Sequence, residues 1–317
     1  MLRRLVKLFV VAVAAYLALS FILGVWLMEG ALHLGRVPIH GQDVFAQSIA
    51  ALSATGLQNS SQTASDGTKL SAWYVRPERW NGDSVILLHG VGDNREGMTS
   101  YALMFLNAGY AVLMPDARGH GESGGNLSTY GLLESGDIRD WSGWLAARKP
   151  AMERPNPNSC LYLFGESLGA AIALQATAVT PHLCAVAAED SFASFREIGY
   201  VRVAQGLGAS VGFTHVVAWP TVNFAFLYAR LRDGLDFNRA SPEQDLAQSR
   251  IPALLIAGVE DTNIPAWNSE RIAKRAGSAA ELWLVPGAGH TLAARIAPVA
   301  FRERVLGWFS SHTHVIH

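Results

Sequence analysis

The stretch that most restricts what this chain can fold into is Gly165-Glu166-Ser167-Leu168-Gly169, because of what flanks it. The buried-strand pattern LYLF precedes it and the helical run AAIALQA follows, so the pentapeptide must turn the chain sharply from a strand into a helix. Glycines without side chains let strand and helix close around such a turn, and the serine hydroxyl projects above the sheet. A Ser in a Gly-rich turn can also simply cap a helix. The strand-turn-helix setting favours a nucleophile.

The same alternation recurs along the chain. Leu57–Ser65 and Lys69–Arg76 flank the turn pair Asp66-Gly67, which predicts an antiparallel hairpin opening a sheet. Ser84–His89, Tyr110–Pro115, Cys160–Phe164, Leu183–Ala188, Ile251–Gly258 and Glu281–Val285 read as fully buried strands, interleaved with helical stretches near 96–108, 132–147 and 168–179. The expectation is an α/β fold: a mostly parallel sheet of about eight strands with helices on both faces. Between Ser191 and Gln248 the alternation breaks. This Gly- and aromatic-rich region reads as an inserted lid, with Phe213, Trp219, Phe224, Phe226 and Tyr228 as candidates for an apolar pocket wall. Extra structural helices, or a segment at Phe224–Leu231 dipping into a membrane leaflet, are the competing readings.

Leu8–Met28 is uncharged and long enough, at about 1.5 Å per residue, to cross a hydrocarbon core of about 30 Å. It accounts for much of the apolar excess in a chain that is 50% hydrophobic and 16% charged. Arg3, Arg4 and Lys7 precede it, so the positive-inside rule puts the N-terminus in the cytoplasm and the remainder on the outer, periplasmic or extracellular side. A cleaved signal peptide with Ala18-Leu19-Ser20 at its site is the alternative, although the run exceeds the usual apolar region of about 7 to 15 residues. A buried core helix is a third reading. The expected organisation is an anchor over 1–30, a juxtamembrane segment over 31–56, and a catalytic domain over 57–312 with its lid at about 191–248. The 25 basic and 26 acidic residues give no field that would draw nucleic acid. Cys160 and Cys184 read as two small buried residues, or as a bridge if their strands are neighbours in an oxidising compartment. No Cys/His spacing suggests zinc, the tail His312, His314 and His317 read as solvated, and neither metal nor cofactor is expected.

Further motifs fall at strand ends. His290, after the strand ELWLV, is the last candidate base before the terminal helix, and Asp261 follows PALLIAG. Their chain order with Ser167 is Ser, Asp, His, one of the orders known for such triads. Glu260 and Asp190 are alternative carboxylates. The loop His89-Gly90-Val91-Gly92-Asp93-Asn94-Arg95 leaves SVILL where donors to an oxyanion would lie, with the amides of Val91 and Leu168 as candidates and His89 in a structural part. In the loop Asp116-Ala117-Arg118-Gly119-His120-Gly121-Glu122-Ser123, residues Asp116, Arg118 and His120 read as supports.

Together these stretches resemble the α/β-hydrolase superfamily. Within it the chain is similar to the serine-hydrolase branch carrying HGxGxN, DxRGHGxS and GxSxG, which includes monoacylglycerol-lipase-like, ABHD-type and serine-aminopeptidase-like members. The resemblance covers about 65–309. It implies Ser167 as nucleophile, His290 as base, Asp261 as acid, and Val91 and Leu168 as oxyanion donors, acting on a small-molecule or lipid ester. A peptidase or amidase, and a non-catalytic membrane-tethered binding module, are the alternatives. The lid matches no substrate-defining pattern.

Overall fold

The computed structural model describes residues 1–148 and 159–313. Helix α1 (Leu2–Leu32) is followed by the short α2 (Gln42–Ser48), then by β1 (Gln58–Thr63) and β2 (Lys69–Val75), the expected hairpin. Next come β3 (Ser84–Leu88), α3 (Thr99–Asn107), β4 (Ala111–Pro115), α4 (Glu134–Ala146), β5 (Leu161–Glu166), α5 (Leu168–Ala176) and β6 (Leu183–Glu189). The insertion then folds as α6 (Phe195–Leu207), α7 (Val211–Val217), α8 (Trp219–Asp233) and α9 (Pro242–Ser249). The chain closes with β7 (Ala253–Gly258), α10 (Trp267–Ala276), β8 (Ala280–Val285), α11 (Ala293–Ile296) and α12 (Pro298–Ser311).

One eight-stranded sheet results, in the order β1-β2-β4-β3-β5-β6-β7-β8. The pairs β1/β2 and β2/β4 are antiparallel and the remaining pairs parallel. Strands β3 to β7 are buried along almost their whole length, as their unbroken apolar runs demand when helices cover both faces. One face packs on α3 and α12, where Phe309 stacks on Tyr162 with ring centroids 4.5 Å apart. The other receives α4, α5, α9 and α10. Emptying the Phe309 site by truncation to Ala would cost about 3–5 kcal/mol.

A third apolar cluster lies above the carboxyl ends of the strands. It joins Met28 and Leu32 of α1 to Phe195 and Ile198 of α6 and to Val222 and Phe226 of α8. Helix α1 is exposed over most of its length, which rules out the core-helix reading, but Ser20, Gly24, Met28 and Leu32 form a buried stripe at four-residue spacing. A Cβ on Gly24 would come within 2.5 Å of the Thr221 carbonyl oxygen, so only glycine permits this approach to α8. The stretch after α1 is also tied down. The Arg36 guanidinium donates to the carbonyls of His120, Gly121, Ser123 and Gly125, and Phe45 of α2 stacks on Trp73 at 5.7 Å.

Three sequence readings need correction. Cys160 and Cys184 are joined by a disulfide rather than being two free buried thiols, because β5 and β6 are neighbours and bring their Cα atoms to 5.6 Å. His312 is not free in solvent: its ring lies on Trp308 with centroids 4.2 Å apart, and its Nδ1 is 2.7 Å from the Trp308 carbonyl oxygen. His314 and His317 lie outside the described residues. The helix expected from Glu96 begins as a 3-10 turn, Arg95–Met98, because the Asn94 side chain accepts from the Glu96 amide and closes a tighter turn.

Candidate active site

Ser167 occupies the sharp turn between β5 and α5 with φ 53° and ψ −116°, a backbone that a non-glycine residue adopts only under constraint. The constraint is visible in both glycines of the pentapeptide. A Cβ at Gly165 would meet the Gly169 carbonyl oxygen at 2.3 Å, and one at Gly169 would meet that of Leu88 at 2.0 Å. The Ser167 amide donates to the Glu189 carbonyl at 2.8 Å, which pins the turn to the next strand.

The turns after β7 and β8 bring Asp261 and His290 to the same edge. His290 Nε2 is 2.9 Å from Ser167 Oγ, and Nδ1 is 2.7 Å from Asp261 Oδ2. Asp261 Oδ1 meanwhile accepts from the amides of Asn263 (2.7 Å) and Ile264 (2.9 Å), so its carboxylate orientation is set from behind. The alternative carboxylates stand elsewhere. Glu260 faces solvent, and Asp190 Oδ2 lies 4.0 Å from His290 Nδ1. Asp190 accepts instead from the amides of Gly258 (2.9 Å) and Thr291 (2.7 Å), bolting the Asp261 strand and the His290 turn to β6. Burial, reinforced by the Asp261 charge, raises its carboxyl to about 6. Asp190, Asp261 and His290 could together offer three ligand atoms to a cation, but hydrogen bonds already engage these atoms within the protein.

Val91 and Leu168 line the same cavity as Ser167, and a Cβ on Gly90 would lie 3.7 Å from that of Ser167, so the loop after β3 runs directly past the hydroxyl. His89 holds that loop. Its Nε2 accepts from the Ala117 amide at 3.0 Å, which leaves the ring proton on Nδ1 to donate to the Gly90 carbonyl at 2.8 Å. Complete burial pushes His89 down to about 3 and keeps it neutral. Asp116 accepts from Arg95 (amide 2.8 Å, guanidinium 2.9 Å) and from the Glu122 amide (2.7 Å), while Arg118 bridges Asp137 and Asp66. His120 Nδ1 sits 3.0 Å from the Arg118 carbonyl oxygen, its ring edge-on to His89. Asp116, Arg118 and His120 therefore brace loops and do not face the Ser167 hydroxyl.

Sequence reasoning missed a buried acidic cluster beneath the serine. Tyr101 donates to Glu166 (3.1 Å) and lies 3.4 Å from Glu189, whose other oxygen accepts from the Ala293 amide at 2.9 Å. Burial raises Glu166 to about 7 and Glu189 to about 8, the latter also through the Asp190 charge. Two acidic residues at the ends of buried strands, Glu166 and Glu189, were the available signal.

A cavity of about 340 Å³ opens from Ser167, a size that suits a small organic group. Its walls are Phe192, Phe195, Ile198, Val222, Phe226 and neighbouring apolar residues, with Leu27, Met28, Ala31 and Leu34 on the side of α1; Arg202, Tyr130 and Thr221 also line it, and among the described residues no carboxylate does. The five lid aromatics divide differently from expectation. Only Phe226 lines the cavity; Phe224 packs edge-on to Phe21 of α1, Tyr228 donates to Glu29 at 2.8 Å, and Phe213 and Trp219 are exposed. Helical periodicity explains this, since 222, 225 and 226 share one face of α8 while 224 and 228 share another.

A sheet of this topology with a strained serine at the end of its fifth strand, hydrogen-bonded to a histidine from the last turn, defines a hydrolase of α/β architecture. A family model described as the alpha/beta hydrolase family matches residues 85–304, and the chain belongs to that family. Among its relatives are the uncharacterized protein YqkD of Bacillus subtilis, 27% identical over 230 residues (71% of this chain, 70% of the relative). Another is the uncharacterized protein Rv2307c of Mycobacterium tuberculosis, 29% identical over 226 residues (71% and 69%). Among solved structures, the Pyrococcus furiosus esterase Pf2001 is similar with a TM-score of 0.67 and 20% identity, over 90% of this chain and 98% of that one. The Pyrococcus horikoshii acylaminoacyl peptidase is similar with a TM-score of 0.60 and 17% identity, over 82% of this chain and 42% of that one. These two likenesses establish the shared fold.

Proposed function

We propose that this protein is a membrane-anchored serine hydrolase that cleaves carboxylic esters of lipophilic acyl groups. The observation that carries the reading is the hydrogen-bonded series Ser167–His290–Asp261 at the mouth of a largely apolar cavity that, among the described residues, no carboxylate lines. His290 Nε2 takes the Ser167 proton as Oγ attacks the ester carbonyl. The amides of Val91 and Leu168 hold the developing oxyanion, an arrangement in which each donor is worth about 10²- to 10³-fold in turnover. His290 then returns the proton to the leaving alcohol, and water, activated by the same imidazole, releases the acid from the acyl-enzyme. Asp261 holds the Nδ1 proton and stabilises the imidazolium without itself becoming protonated. Every proton step is served by this chain's own side chains.

Helix α1 is the anchor, with the N-terminus cytoplasmic and the catalytic domain outside. Arg3, Arg4 and Lys7 support that orientation, and so does the Cys160–Cys184 disulfide, a bond that persists in oxidising compartments. The test compares p-nitrophenyl esters with aminoacyl anilides on the full-length protein. Ester turnover abolished by Ser167→Ala is expected. Preferential anilide cleavage would replace the reading with a peptidase, and no turnover of either would favour a binding module.

A further inference from the structure

We infer that α1 is a wall of the acyl-binding site as well as an anchor, so that the substrate is a long-chain ester drawn sideways from the outer leaflet. This rests on the ester-hydrolase reading above and goes beyond it in naming the substrate class and the specificity-determining element. Leu27, Met28, Ala31 and Leu34 line the cavity that opens from Ser167. They lie at, or one to two turns beyond, the end of the uncharged stretch Leu8–Met28, which is about 31 Å long and fills a hydrocarbon core. The cavity therefore begins where the bilayer interior ends, and the wall nearest the membrane is the membrane helix itself.

The packing of α8 extends this apolar path. Tyr16 Oη donates to the Val217 carbonyl at 2.5 Å, Gly24 sits against Thr221 and Ala225, and Glu29 pairs with Tyr228 and Arg232. Residue numbers rise together on both helices, so α8 runs parallel to α1. The elbow between α7 and α8 then lies beside the middle of the apolar span. That elbow exposes Phe213, Val216 and Trp219, the last 59% exposed, which suits immersion among lipid chains. Glu29 and Arg232 form a polar pair near the end where water begins. Continuity of the exposed elbow, the α1 span and the cavity wall gives an ester already in the leaflet a route to Ser167 that keeps its chain out of water.

The contact also gives α1 a function that a cleaved leader could not supply. Removing it would strip one side from the cavity and leave the buried faces of α8 in water.

The experiment uses the full-length protein in proteoliposomes, with p-nitrophenyl laurate dissolved in the bilayer and p-nitrophenyl acetate supplied in water. Ala31→Phe fills the cavity from the α1 side and leaves the Ser167–His290 hydrogen bond untouched. Each seated methylene is worth about fourfold, so displacing three lowers kcat/KM for laurate by about 60-fold. Acetate, which lacks those methylenes, loses less, so the laurate-to-acetate ratio of kcat/KM falls. Leu19→Phe, on the exposed side of the same helix, should change neither. Equal rates on laurate for Ala31→Phe and the native protein would overturn the inference. Absence of acetate turnover by the native protein would instead defeat the ester-hydrolase reading. If Ala31→Phe does not fold, Met28→Ala decides: enlarging the cavity must move the preferred acyl length upward, and an unmoved preference refutes the role of α1.

Discussion

Replacing Asp261 by Asn tests how the relay is oriented. Two backbone amides, of Asn263 and Ile264, donate to Oδ1 and thereby fix which side-chain atom faces His290. An asparagine at this position keeps its carbonyl oxygen on those amides and must present its NH2 group to Nδ1. A donor there forces the imidazole proton onto Nε2, the atom that has to accept the Ser167 proton. The comparable change in other triads costs about 10⁴-fold in kcat, or about 5.4 kcal/mol of transition-state stabilisation. KM should hold, because Asp261 does not line the cavity. Burst and steady-state kinetics on p-nitrophenyl butyrate separate the two parameters, and the native folding transition should persist since both amides keep an acceptor. A loss below about tenfold would refute this reasoning and point to Asp190, 4.0 Å from Nδ1, as a carboxylate able to take over.

Three other outcomes follow from the same structure. Gly169→Ala puts a Cβ 2.0 Å from the Leu88 carbonyl oxygen, so it should abolish activity or soluble expression, whereas Gly143→Ala, in open space on α4, should be silent by thermal melt and turnover. Glu189 has its pKa raised to about 8 by burial, so the folded state holds an extra proton between the ordinary carboxyl range and pH 8, and stability falls as pH rises through that window. Glu189→Gln should therefore flatten the Tm profile between pH 5 and 8 and leave the variant more stable than the native protein at pH 9; parallel profiles would contradict this. Replacing Cys160 and Cys184 by Ser opens a crosslink between residues 24 apart, which should lower stability by about 3 kcal/mol in denaturant titration, and an unchanged midpoint would deny the bridge a stabilising part.

The residues around Ser167 were readable because each sits in a short strand-to-turn signature, and local backbone chemistry dictates such signatures. Strand ends carry Ser167, Asp261 and His290 to one edge whatever the details of packing, so their meeting followed from chain order. The docking of α1 was hidden for a physical reason: Leu8–Met28 is apolar on every face, and a uniform face shows no periodicity that separates protein contact from lipid contact. Gly24 was the one available clue, a glycine inside a helix where close approach is its usual justification. The lid aromatics were assigned to the cavity as a group because composition carries no phase. Only the helical register of α8 tells Phe226 from Phe224. The disulfide depended on two strands becoming neighbours, a long-range fact that cysteine spacing does not encode.

The central claim, that Ser167 is the nucleophile of an ester hydrolase, is tested most directly by treating the full-length protein with a fluorophosphonate and mapping the adduct by mass spectrometry. A single adduct on Ser167 is predicted, formed at least about 10²-fold more slowly in His290→Ala and absent from Ser167→Ala. An unlabelled Ser167, or labelling indifferent to His290, would contradict it.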